Sequence, residues 1–108
     1  MIEQEHDNWT KQEKEVVDLF KKYAKSNKLY DDVPSIMKKL GEEIFEFVGA
    51  VMRYNRNDAA EEAADIYILL IDILERMGSE KGITKSVEEK LKVLEERWSQ
   101  QGQIGRNR

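Results

Sequence analysis

Apolar side chains recur along this chain at three- and four-residue intervals, a spacing that lines one face of an α-helix and predicts four of them. The first is predicted from about Asn8 to Ser26, with Val16, Phe20 and Tyr23 as its stripe, and the polar stretch Ser26 to Asp32 ends it. A second is predicted to begin at Asp32, an acidic cap with Pro34 in the first turn behind it, and to continue to about Tyr54. Asn55, Arg56 and Asn57 read as a turn. Asp58 with Glu61 resembles a capping box, which starts a third helix that runs to Met77 and is stopped by Gly78. Helices two and three then form an antiparallel hairpin. The fourth is predicted to start between Thr84 and Ser86, with Ser86 and Glu89 as a capping pair and Val87, Leu91, Leu94 and Trp98 on one face. The tail from Gln100 to Arg108 is expected to be loose.

Acidic residues interrupt this pattern where it is strongest. At about 100° per residue, the second helix gathers Ile36, Leu40, Ile44, Phe47, Val48 and Val51 on one arc, and Glu43 lies at its edge, about 20° from Ile36. Glu46 points to the same side one turn on, with the small Ala50 between their directions. In the third helix Ile66, Tyr67, Ile68, Leu69, Leu70, Ile71, Ile73, Leu74 and Met77 form a nearly complete apolar coat, which predicts burial on all sides. Glu62 nevertheless falls between the directions of Leu69 and Ile73, and Asp65 points about 60° from it. These acids are therefore expected off the solvated surface. Glu46 stands about ten residues before the turn and Asp65 about nine after it, so at about 1.5 Å per residue the four span only about 10 Å along the hairpin.

A buried carboxylate costs several kcal/mol unless it is protonated, paired or bound to a cation. Four that converge repel one another, and a hard divalent ion with oxygen ligands removes that repulsion. Magnesium (Mg2+) is the natural candidate, with manganese (Mn2+) as a substitute. Magnesium also binds substrate phosphates, which points to phosphoryl chemistry, with attack by a water that is activated by metal or deprotonated by a carboxylate. A plainer reading stays open, because Glu and Lys at three- and four-residue spacing also make solvated, ion-paired helix surfaces.

Composition narrows the classes. A chain of 108 residues without repeats or a Pro/Gly/Ser-rich linker reads as one domain, residues 1–108, whose own core covers only part of its apolar surface. Charged residues at 37%, apolar ones at 40% and a single proline give an all-α profile. The absence of cysteine excludes disulfides, thiolate zinc sites and a cysteine nucleophile, which leaves oxygen ligands. A net charge of −4 gives no general attraction to nucleic acid, so a polyanionic substrate needs a metal or a local basic cluster. No apolar run has the length of a signal peptide or a membrane span, and the cytoplasm is the expected compartment.

The run Gly41-Glu42-Glu43-Ile44-Phe45-Glu46, followed after a short hairpin by Glu61-Glu62-Ala63-Ala64-Asp65, resembles the EExxE and ExxD signature of MazG-like proteins. These belong to the all-α nucleoside triphosphate pyrophosphohydrolases, with dimeric dUTPases and phosphoribosyl-ATP pyrophosphohydrolase. The resemblance covers roughly residues 34 to 78 and matches both spacings without gaps. It implies that Glu43, Glu46, Glu62 and Asp65 are metal ligands and the catalytic set, while Glu42 and Glu61 complete the pattern. It also implies water attack at the α-phosphate of a nucleoside triphosphate, with release of pyrophosphate and a monophosphate. By the same resemblance the protein is a helical bundle that pairs into a homodimer or homotetramer, with its sites at subunit interfaces.

Cations on the same sides of the hairpin are the substrate-binding candidates: Lys39, Arg53 and Arg76. Each reads equally as an ion pair with one of the acids, and Asp72 reads either as a support for the acids or as the partner of Arg76. Lys85, Lys90 and Arg97 are weaker candidates. Trp9 and Trp98 suit packing better than base stacking, His6 lies in a polar terminus without a ligand set nearby, and the two arginines of the Gly102 to Arg108 tail could fold over a bound triphosphate, with a disordered end as the plainer expectation. The competing class is a helical oligomerisation or protein-binding module whose acids form salt bridges, including a regulatory homologue that has lost catalysis.

Overall fold

The computed structural model describes residues 8–27 and 32–106, with residues 24–27 and 102–106 as helical backbone alone. The chain is all-α, and its described helices are α1 (Lys11–Asn27), α2 (Val33–Met52), α3 (Arg56–Arg76) and α4 (Ile83–Arg106). None of the described helices is long and apolar enough to cross a membrane. The residues fall into two compact units, one formed by Lys11–Ser79 and one that joins the N-terminal residues to Glu80 and α4.

In the first unit α2 and α3 pack as the expected hairpin and α1 packs on α3. Asp32 caps α2 as expected, accepting from the Ser35 N–H at 2.9 Å, with proline in the first turn. Those bonds from Ser35 hold the Asp32 carboxyl below its ordinary range. The start of α3 differs from expectation. Asn55, not Asp58, is the cap: its side-chain oxygen accepts from the Asp58 N–H at 3.1 Å, and its amide donates back to the Asp58 carboxylate at 2.9 Å. Asp58 thus occupies the third helical position, where the reciprocal partner of a cap belongs.

Both hairpin helices end in the same motif with different residues. At the end of α3 the Ser79 N–H donates to the Leu74 carbonyl and the Gly78 N–H to that of Glu75, with Gly78 at φ +74°. At the end of α2 the Asn55 N–H donates to Ala50 and the Tyr54 N–H to Val51, and here the left-handed residue is Tyr54 at φ +56°. This Schellman closure takes glycine freely, whereas a side chain there costs about 1–2 kcal/mol. Tyr54 is almost fully exposed, so its ring recovers little of that cost. Tyr54→Gly is expected to raise stability by up to about 1 kcal/mol after the extra backbone entropy of glycine is counted, read as a higher denaturant midpoint at unchanged slope.

The core of this unit consists of Ile36, Leu40 and Leu69, with Phe20, Ile66 and Ile73 packed against them. On α1 the buried positions are Glu13 and Val17, and Tyr23 of the expected stripe is exposed. The predicted all-round burial of α3 is not realised within one chain. Leu69 and Ile71 are buried, Tyr67, Ile68 and Leu74 are half-buried, and Leu70 and Met77 are exposed. Ile44, Val48 and Val51 of the α2 arc also face solvent.

In the second unit Asn8 forms an isolated parallel bridge with Lys81, and the Gly82 N–H donates to the Asn8 carbonyl. Helix α4 begins one residue before the predicted range. Ser86 does not cap it but donates its hydroxyl to the Gly82 carbonyl at 3.0 Å, while Glu89 pairs with Lys81. That pairing holds the Glu89 carboxyl below its ordinary value. The helix continues past Gln100 to Arg106. Trp9 is buried, as a packing residue should be, but Trp98 is exposed together with Val87 and Leu91. His6, Arg108 and most of the polar stretch after Ser26 lie outside the described residues.

Candidate metal centre

The hairpin brings one residue of α2 and two of α3 together. Glu43, Glu62 and Asp65 each offer a carboxylate oxygen, and these atoms all lie within 4.8 Å of one another. The antiparallel register achieves this, because a residue before the Tyr54 turn meets one as far beyond it. Glu43 is only 5% exposed, Glu62 is half-buried, and Glu46 and Asp65 are exposed. The expectation that all four acids would be withdrawn from solvent therefore holds for Glu43 and in part for Glu62. Helix α1 meets α3 through the Lys21–Glu75 ion pair at 3.3 Å and lines a shared pocket with Asp72, Glu75 and Arg76.

Glu43 is partly neutralised. Its Oε1 receives Lys39 Nζ at 3.0 Å, and the same ammonium stands 3.9 Å from Glu42. The Oε2 atoms of Glu43 and Glu62 are both buried without a hydrogen-bond donor among the described residues. Two buried oxygens without donors, beside a third carboxylate, form a donor set that fits a hard divalent cation. Carboxylates this close to one another favour keeping a proton. The interaction with Glu43, then burial, then the charges of Glu43 and Glu46 push the Glu62 carboxyl up to about 7. The bond to Glu62 and the Lys39 ammonium hold Glu43 below its ordinary value.

Glu46 lies outside the trio but near enough to Glu62 to raise its proton affinity. It lines an open cavity of about 290 Å³ together with Phe45, Gly49, Arg53, Asp58 and Glu62. Ala50, predicted to leave room beside the acids, is buried at its wall.

The three candidate cations have different fates. Lys39 sits on the acids through Glu43, and Arg53 reaches the cavity, where its guanidinium stands 4.0 Å from Asp58. Arg76 is not brought to the acids. Its Nε donates to the buried Asp72 at 3.0 Å, the ion-paired alternative for both residues, and its charge is felt by Asp32 at the far end of the hairpin. Burial pushes the Asp72 carboxyl up, against the pull of Arg76.

Phe45 and Gly49 were not singled out from sequence. Phe45 had a legible signal, being a large apolar residue out of register with the α2 arc. Glu13, fully buried in the first turn of α1, has no such signal in the stripe of Val16, Phe20 and Tyr23, and only the burial of Val17 one turn on shows that it faces inward.

Comparison with known proteins agrees with this geometry. Residues 12–92, well over half of the chain and including all four acids, match the family PRA-PH, phosphoribosyl-ATP pyrophosphohydrolase. No curated protein and no solved structure matches in the same comparisons. Paired acids on a helical hairpin and this match lead to one conclusion: the chain belongs to the phosphoribosyl-ATP pyrophosphohydrolase family of the all-α, MazG-like superfamily, whose chemistry is pyrophosphohydrolysis of nucleotide-like substrates.

Proposed function

We propose that this protein hydrolyses (deoxy)nucleoside triphosphates to monophosphate and pyrophosphate, as a house-cleaning enzyme of the cytoplasmic nucleotide pool. The convergence of Glu43, Glu62 and Asp65 within 4.8 Å, with two buried oxygens lacking donors, carries the reading. These residues would hold magnesium, or manganese in its place. Once bound, the ion supplies Lewis-acid polarisation of the phosphate and a more acidic water.

The chain's own groups account for the rest. Glu46, exposed on the cavity wall, is the fourth oxygen donor implied by the sequence signature and is also placed to accept the proton of an attacking water. Arg53 offers a planar fork of donors to phosphate oxygens, a geometry that suits the terminal phosphates of a bound triphosphate. Lys39 balances Glu43 and keeps the acidic cluster from repelling a polyanion. The cavity of about 290 Å³ is at the small end for ligand sites of roughly 300–1,000 Å³, which suits the polyphosphate better than a whole nucleotide.

A homodimer or homotetramer is part of the reading. Ile44, Val48 and Val51 lie in one exposed row on α2, and contiguous apolar surface of this kind marks an interface. Val48→Lys is expected to yield monomers by light scattering, since a charge in an apolar contact is left unpaired. A monomeric wild type would remove the argument.

The family description favours a second substrate, phosphoribosyl-ATP, which also carries a triphosphate. One experiment separates the readings: a panel of standard and damaged nucleoside triphosphates and phosphoribosyl-ATP, with magnesium, analysed for products. Pyrophosphate with a monophosphate from a nucleoside triphosphate supports the proposal. Turnover of phosphoribosyl-ATP alone replaces it with the second substrate. Orthophosphate with a diphosphate indicates a different bond, and no turnover with no metal-dependent rise in melting temperature leaves the oligomerisation module.

A further inference from the structure

Helix α2 contains two interior glycines, and they differ in what a side chain would meet. A Cβ at Gly41 would have nothing within 4 Å, whereas one at Gly49 would stand 3.1 Å from Arg53 Nη1, inside the usual 3.5–4.0 Å contact distance. An interior glycine weakens a helix relative to alanine. At Gly49 that weakness coincides with a guanidinium folded back along the helix, one turn on, into the cavity that also holds Glu46 and Glu62. The other side of the guanidinium is met by Asp58 at 4.0 Å, and Asp58 is itself anchored by the Asn55 amide at 2.9 Å. Arg53, its side chain 63% exposed, thus lies over a bare stretch of backbone with a tethered carboxylate 4.0 Å away.

We propose that Gly49 is a positioning residue, which by lacking a side chain lets Arg53 lie across α2 and meet the pyrophosphate half of a triphosphate in this cavity. The inference rests on the proposed triphosphate hydrolysis and adds how the substrate's leaving group is held. Arg53 is the contact; Gly49 acts only through it. A Cβ at position 49 displaces the guanidinium by a few tenths of an ångström, enough to spoil a two-pronged bond whose geometry is fixed by a planar fork.

The test is a double-mutant cycle of Gly49→Ala and Arg53→Ala, with Gly41→Ala as the matched helix glycine. For each protein kcat, KM and the inhibition constant of inorganic pyrophosphate are measured with magnesium, alongside the melting temperature. Gly49→Ala is expected to raise KM and the pyrophosphate constant about fivefold, part of what loss of a charge-assisted contact costs, and to change kcat by less than about twofold. Its melting temperature should equal or exceed that of the wild type. In the Arg53→Ala background the same change should have no further effect on KM, because the group it displaces is gone. Gly41→Ala should raise the melting temperature and leave KM unchanged.

An unchanged KM in Gly49→Ala, or an equal rise with and without Arg53, overturns the proposal, as does a rise in KM accompanied by a lower melting temperature and additivity. A wild type that releases no pyrophosphate from any triphosphate overturns the hydrolase reading, and this inference falls with it. A working wild type with an additive cycle overturns this inference alone.

Discussion

Asp65→Asn and Glu46→Gln are each expected to lower kcat/KM for pyrophosphate release at least about a hundredfold, the scale of losing one charge-stabilising group at a transition state, without unfolding the protein. Both substitutions keep the shape of the side chain and remove its charge. Neither residue is buried, so no packing is lost. Asp65 supplies one of the three converging oxygens, and Glu46 stands on the cavity wall beside Glu62. A hundredfold loss corresponds to about 2.7 kcal/mol of transition-state stabilisation. The two variants should differ in how metal responds: Asp65→Asn should need more magnesium for half-maximal rate, whereas Glu46→Gln should lose rate even at saturating magnesium if its carboxylate takes the water's proton. Circular dichroism and thermal melting check the fold. Full activity in either variant would remove that residue from the site.

Metal binding should strengthen by about tenfold per pH unit as pH rises towards 7 and level off above it, because one proton leaves as the cation enters. The proton is that on Glu62, whose carboxyl is pushed up to about 7 by Glu43 and by burial. The same shift fixes the sign of its contribution to stability. A carboxyl with a folded value above its ordinary one of 4.5 binds more protons in the folded chain, so the stability it contributes is complete below about pH 4.5 and is lost as pH rises through about 7. The metal-free protein should therefore become less stable through Glu62 across that window. Cation binding removes the penalty, so the gap in melting temperature with and without magnesium should widen from pH 5.5 to 7.5. Glu62→Gln, which cannot ionise, should flatten the pH dependence in the metal-free state. An equal gap at both pH values would show that no such proton competes with metal.

Much of the local architecture was legible in the sequence because its causes are local. Asp32 with Pro34 two residues on specifies a helix start, since a side-chain oxygen satisfies an otherwise orphan N–H and proline needs none. Gly78 specifies a stop because it accepts a left-handed backbone. The cap of α3 lies three residues before the expected one for an equally local reason: Asn55 and Asp58 both qualify as caps, and the left-handed Tyr54 that ends α2 early has no signature in a residue type that rarely adopts it.

The sequence by itself determined four helices, the antiparallel hairpin and the two pairs of acids that share its sides, because helical periodicity fixes the direction of every side chain from spacing alone. It also carried the signature of the family to which the chain belongs. Tertiary structure decided which neighbour stands in each direction. It placed Glu43, Glu62 and Asp65 in one trio with Glu46 beside it, laid Arg53 over Gly49, and sent Arg76 to Asp72 at the other end. Periodicity gives an angle about one helix axis, whereas burial, pairing and proton affinity depend on what a second helix puts across from it, and that is set only when the helices pack.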